Sequence, residues 1–159
     1  MQQKETSNPR DLTDISGLPE SGRIIALDPG TKRVGVAVCD ENRVIARPLP
    51  VVQRTSWKKL LLQIKDTLAE FDAVALVVGL PYNFDGTESD MTTEARDMAR
   101  KLSLSIEVPV YLQDERATTY EARGRLWKAG LEGKPMRASV DSEAASIILS
   151  DFMDRQTRV

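Results

Sequence analysis

The stretch Ile24-Ile25-Ala26-Leu27-Asp28-Pro29-Gly30-Thr31-Lys32-Arg33-Val34-Gly35-Val36-Ala37-Val38 decides the architecture. Ile24 to Leu27 and Val34 to Val38 are short apolar runs, and Asp-Pro-Gly between them is turn chemistry, so two strands joined by a tight turn are expected. A third run, Val44 to Val52, follows Asp40-Glu41-Asn42 and extends the pair into a meander.

Downstream the period changes. Trp57, Leu60, Leu61, Ile64, Leu68 and Phe71 recur at helical spacing, and Ala73 to Val78 is apolar throughout up to Gly79, as in a strand buried on both faces. After a loop from Leu80 to Gly86, a second helical face appears at Met91, Ala95, Met98, Ala99 and Leu102, and a strand is expected at Val108 to Gln113. Two more helices are expected at about Thr118 to Ala129 and about Val140 to Met153, with Gly130, Gly133 and Pro135 breaking between them. A meander followed by helix–strand alternation predicts an α/β protein: a five-stranded mixed sheet with helices packed on both faces, since parallel neighbours need crossover helices. Residues 1–22 are polar and punctuated by Pro9, Gly17, Pro19 and Gly22, so they are expected to form a flexible leader to one domain over 23–159.

Composition narrows the chemistry. The 159 residues carry 22 Lys+Arg against 24 Asp+Glu, so no overall basic field advertises a nucleic-acid partner. Phosphate contacts would have to come from a local rim. There is no histidine, and Cys39 is the single cysteine, which excludes serine–histidine and thiol–histidine catalysis and zinc sites of the Cys/His type. Carboxylates remain for acid, base or metal work. The lone cysteine and the lack of a signal-like or long apolar run predict a cytoplasmic protein without a membrane segment.

Three acidic positions stand out. Asp28 follows directly on a core strand, at the carboxyl edge where α/β sheets hold their ligands, although Asp-Pro-Gly also serves as an ordinary turn in which Gly30 takes a positive φ. Gly30 and Gly35 are spaced as in a phosphate-binding loop, but Val36 and Ala37 occupy the required Lys and Ser/Thr positions, so that reading fails. A hairpin turn offering its amides, with Lys32 or Arg33, could still hold a phosphate. Asp114-Glu115-Arg116 ends a strand, and alternation allows only one of the two acids to join a site on a given face. Asp141 precedes Ala144, Ala145, Ile148, Leu149 and Phe152 at helical offsets, which aims a carboxylate at the sheet unless it merely caps the helix. A buried carboxylate needs a donor, a cation or a metal. Acids from two strand ends and one sheet-facing helix could converge on one or two hard divalent cations.

Four ordered motifs carry a resemblance: Ala26 to Val38; Val78-Gly79-Leu80-Pro81 with Asp85-Gly86-Thr87; Asp114-Glu115-Arg116-Ala117-Thr118-Thr119; and Val140-Asp141-Ser142-Glu143-Ala144-Ala145. Together, from about Arg23 to Met153, they resemble the YqgF family, also called RuvX-like, of pre-16S ribosomal RNA nucleases and Holliday-junction-resolvase homologues. The resemblance implies a ribonuclease-H-like fold and Mg²⁺- or Mn²⁺-dependent hydrolysis of phosphodiesters. The substrate would be precursor rRNA during 5′-end maturation in ribosome biogenesis, or branched DNA. By motif position it makes Asp28 the first-strand acid, Asp141 the last-helix acid, and Glu115 rather than Asp114 the strand-end acid. Thr31, Lys32, Arg33 and Arg116 become candidate nucleic-acid contacts. Ribosomal or transcription machinery and a second copy of the chain are further candidate partners. Ala117 stands where a leucine is more usual, and the leader lies outside the shared pattern.

Two other classes compete. An actin-like ATPase shares an Asp-x-Gly-Thr hairpin but needs two large lobes, and this chain supplies one. A catalytically silent nucleic-acid-binding module would keep the fold and leave the acids dispensable.

Overall fold

The computed structural model describes residues 15–83, 85–115 and 134–157, with side chains over 142–156 in the last segment. Strands β1 (Ile24–Pro29), β2 (Arg33–Cys39), β3 (Ala46–Gln53), β4 (Ala75–Leu80) and β5 (Val110–Asp114) form one sheet in the order β3-β2-β1-β4-β5. β1, β2 and β3 pair antiparallel as the expected meander, whereas β4 runs parallel to both β1 and β5. Helix α1 (Trp57–Glu70) crosses from β3 to β4, and α2 (Asp90–Ser105) from β4 to β5. The sheet is therefore mixed. The last helix, α3 (Lys134–Thr157), starts earlier than expected, with Pro135 inside its first turn, where a missing N–H costs nothing.

Strand alternation sorts the core into two halves. Ile25, Leu27, Val36, Leu76, Val78, Leu80 and Leu112 point to one face and pack against Leu60, Ile64 and Leu68 of α1 and Ala95, Met98, Ala99 and Leu102 of α2. On the other face Ile24, Ala26, Ala37, Cys39, Ala75 and Val77 meet Ala145, Ile148, Leu149, Phe152 and Met153 of α3. Helices thus cover both faces.

Local boundaries shift for identifiable reasons. Val44 and Ile45, expected to open β3, are 74% and 68% exposed and lie in the preceding turn, where Asp40 Oδ1 accepts a hydrogen bond from each of their N–H groups at 2.8 Å. Arg43 there has φ 57°. In α2 the buried first-turn residue is Thr92 instead of Met91, because Thr92 completes a capping box with Ser89 and its hydroxyl donates to the Pro81 carbonyl at 2.7 Å. That bond fastens the loop after β4 to α2. Of the stretch expected to be a leader, residues 1–14 lie outside the described set, while Ile15 and Leu18 pack against the α3 half of the core. The helix expected at about Thr118 to Ala129 also lies outside the described residues. No described helix is long and apolar enough to cross a membrane.

Candidate active site

The carboxyl ends of β1, β4 and β5 lie side by side because these three strands run parallel. Asp28 sits at that edge of β1, opposite Gly35 of β2. Side chains alternate along a strand, so Asp28 shares the face of Ile24 and Ala26, the face that α3 covers. On β5, Val110 and Leu112 belong to the α1/α2 half, whereas Tyr111 packs with the α3 half and Gln113 bonds to Arg155 of α3 at 2.7 Å. Continued one step, the alternation gives Asp114 to the α1/α2 face and Glu115 to the α3 face. The backbone agrees, since Leu80 pairs with Asp114 and the Glu115 N–H donates to the Leu80 carbonyl at 3.0 Å.

Glu115 is 6% exposed, an extreme position for a carboxylate. Burial pushes its carboxyl well above the ordinary value of 4.5, and the Asp28 charge, a hydrogen bond shared with Asp28, and the Asp114 charge push it further. Two carboxyls placed together, one buried and one half-buried, cannot both ionise cheaply. Among the described residues Glu115 Oε2 has no hydrogen-bond partner. The structure thus brings Asp28 and Glu115 together and leaves Asp114, half-buried, on the opposite side. Asp141 lies within α3, but its side chain is outside the described residues, as is the whole of Arg116. Among the described residues no three acids, cysteines or histidines form a metal-sized cluster.

The turn after Asp28 is built tightly. Gly30 N–H donates to the Arg33 carbonyl at 2.9 Å, and a Cβ on Gly30 would lie 2.5 Å from that same oxygen. Glycine is required there by this close approach, not by a positive φ, which Gly30 does not adopt. Thr31 and Lys32 are exposed on the turn and Arg33 is half-buried at its end. A residue that sequence reasoning passed over completes it: Arg54, just past β3, donates from its backbone N–H to the Lys32 carbonyl at 2.9 Å and from Nη1 to the Gly30 carbonyl at 3.0 Å. Its guanidinium also lies 3.9 Å from Glu94 of α2. No local pattern marks Arg54; only the pairing of Arg33 with Gln53 brings it beside the turn. The role of Ser142 was likewise missed: its hydroxyl donates to the Leu49 carbonyl at 2.6 Å, tying α3 to β3 one residue beyond Asp141.

Known proteins resemble this chain in sequence and fold. The model of the RuvX family, described as Holliday junction resolvase, matches residues 22–155. A protein of Anaeromyxobacter sp. (strain Fw109-5) named "Putative pre-16S rRNA nuclease" is 41% identical over 132 residues, spanning 83% of this chain and 96% of that one. One of the same name from Thiobacillus denitrificans is 41% identical over 140 residues, spanning 88% and 97%. Among solved structures, T. thermophilus RuvC in complex with Holliday junction substrate aligns with a TM-score of 0.52 at 22% identity, over 84% of this chain and 96% of that one. The yeast mitochondrial Holliday junction resolvase Ydc2 aligns with a TM-score of 0.56 at 13% identity, over 92% and 85%. At such identities these two likenesses concern the fold, which is that of the resolvases.

Proposed function

This chain belongs to the RuvX family and is a nuclease, a hydrolase of phosphodiester bonds, and from that premise we propose that its reaction centre is the Asp28–Glu115 carboxyl pair on the α3 face. The observation that carries the proposal is the buried Glu115 carboxyl set against Asp28 with one oxygen unpartnered among the described residues. That arrangement is unfavourable for two anions and favourable for two anions around a cation. The donors are hard oxygens, with no histidine in the chain, which suits Mg²⁺ or Mn²⁺. Asp28 and Glu115 would hold the ion, with Asp141 of α3 as the third acid. When bound, a divalent ion polarises a phosphodiester and lowers the pKa of an attacking water.

The protein's own groups do the rest. Burial of Glu115 beside half-buried Asp28 strengthens the charge interactions its carboxyl makes. The turn from Gly30 to Arg33, braced by Arg54, sets basic groups and backbone amides beside Asp28, where a nucleic-acid backbone can be aligned. Thr31, Lys32, Arg33 and, beyond β5, Arg116 are the proposed contacts. Asp114 takes no part in holding the ion in this reading.

The proposed substrate is pre-16S ribosomal RNA, cleaved during 5′-end maturation in the cytoplasm, supported by the names of relatives that match along nearly their whole length. A second reading, branched DNA, is favoured by the description of the family itself. Purified protein with Mg²⁺ or Mn²⁺, assayed on a precursor transcript and on a four-way junction alongside Asp28→Asn, separates the two. The expected result is cleavage of the transcript by wild type only. Cleavage of neither substrate, or equal cleavage by Asp28→Asn, would sink the proposal.

A further inference from the structure

Asp28 and Glu115 stand on strands that are not neighbours. β4 lies between them, so their backbones are two strand spacings apart, roughly 9.5 Å. A carboxyl from β5 can approach one on β1 only by passing over the face of β4. The residue it must pass over is fixed by register. Leu27 pairs with Val78, which brings Gly79 level with Asp28 one step further on, and Gly79 itself pairs with Gln113. Gly79 follows the parity of Val77, which belongs to the α3 half of the core, so a side chain at 79 would rise from β4 directly under the crossing carboxyl.

We propose that Gly79 is a positioning residue for the reaction: its missing side chain is the gap through which the Glu115 carboxyl reaches Asp28. A Cβ at 79 would stand 3.0 Å from Glu115 Oε2 and 3.2 Å from its Cδ, with Ile148 Cδ1 of α3 at 2.5 Å. Backbone conformation does not explain the glycine, because its φ is not left-handed and it sits within a regular strand. A glycine inside a strand weakens the strand, and close approach of another group is one established reason to keep it. The same gap lets α3, the helix that carries Asp141, settle on β4 through Ile148.

This inference rests on the reading of Asp28 and Glu115 as a metal-holding pair, and its test separates the two. Gly79→Ala alone meets Glu115 and Ile148 together and is expected to lower the melting temperature. Gly79→Ala with Ile148→Val removes Cδ1, so the double variant keeps only the conflict with Glu115. In chelator it is expected to melt near wild type, and its crystal structure should show the Glu115 carboxyl turned away from Asp28. Calorimetric titration with Mn²⁺ should then show binding weakened roughly 10-fold or more, as for other losses of ligand support. Ile148→Val by itself should bind Mn²⁺ like wild type. An unmoved Glu115 in the double variant, or equal weakening by Ile148→Val alone, overturns the role of Gly79. A displaced Glu115 with Mn²⁺ binding intact upholds that role and overturns the metal reading instead.

Discussion

The two faces of the sheet are built from different residues for different work. Against α1 and α2 the strands present Ile25, Leu27, Val34, Val36, Val38, Leu76, Val78 and Leu80, most of them bulky and branched. Against α3 the same strands present Ala26, Ala37, Ala75 and Cys39 beside Ile24 and Val77, answered by Ala145. Small residues bring the helix close to the sheet. Four of the five buried polar residues among those described collect on that side, Gln113, Glu115, Ser142 and Ser146, whereas Thr92 of α2 lies on the other, with its hydroxyl held by the capping box and the Pro81 carbonyl. One face thus supplies stability through bulk, and the other accepts a costly buried carboxyl in order to place chemistry. The fold separates the two tasks by the parity of a residue within its strand.

The largest expected break in this comparison comes from charge on the α3 face. Asp28→Asn removes a proposed ion-holding group with almost no change in volume, so cleavage is expected to fall by more than about 100-fold, beyond the loss of an outer supporting group. Circular dichroism and melting should show the fold retained. Mn²⁺, which raises the melting temperature of any protein that binds it when folded, should do so for wild type and not for the variant. A variant that still cleaves at the wild-type rate would remove Asp28 from the centre.

The opposite face should respond in the opposite currency. Ile64 is 2% exposed in the α1/α2 cluster, and Ile64→Ala is expected to lower stability by about 2–5 kcal/mol through a cavity. Mn²⁺ affinity and kcat of the fraction that remains folded should be unchanged. If Mn²⁺ binding falls along with stability, the two faces are coupled more tightly than this division allows.

Much of this was legible in the chain, and the remainder was hidden for physical reasons. Apolar runs and helical periods gave the meander, both crossover helices and the last helix, because local hydrophobic pattern dictates local structure. Strand ends moved by about two residues where side chains intervened, as Asp40 does for Val44 and Ile45. Residue pattern alone left the choice between Asp114 and Glu115 open, with only the resemblance favouring Glu115, because it depends on which face α3 covers, a tertiary fact. Parity would have given a partial answer: Asp28 shares the face of Ile24 and Ala26, and the small residues there could have flagged the helix-covered side. Arg54 had no local signal, and Gly79, though part of one of the four motifs, gave no sign of what its missing side chain admits. Each matters through a neighbouring strand.

A smaller effect, of predictable sign, concerns pH. Glu115 holds its proton in the folded, metal-free protein well above 4.5, whereas the unfolded chain releases it near that ordinary value. The folded state therefore binds more protons across that window, so stability falls as pH rises from about 4.5 through the raised folded value. Glu115→Gln removes this contribution. Melting curves in chelator should show wild type losing more stability than the variant between pH 5 and 8, roughly the range above the free carboxylate. Subtracting the variant's curve cancels groups with lowered values, such as Asp97, whose carboxyl is held down by Arg100. Identical curves would mean that Glu115 is not buried beside Asp28 in solution.

The smallest expected effect is also the sharpest control on the comparison. Asp114 and Glu115 are consecutive acids of similar chemistry, and the strand sends them to opposite faces. If the division by parity is correct, Asp114→Asn should change cleavage by no more than a few-fold, while Glu115→Gln approaches the loss seen for Asp28→Asn. Some effect of Asp114 is expected, since its charge helps raise Glu115 and reaches the site without contact. Screening distinguishes this route: a through-space contribution should shrink as ionic strength rises toward 1 M, where the Debye length is about 3 Å. A loss for Asp114→Asn that matches Glu115→Gln and persists at high salt would put Asp114 in the centre and end the assignment of chemistry to the α3 face alone.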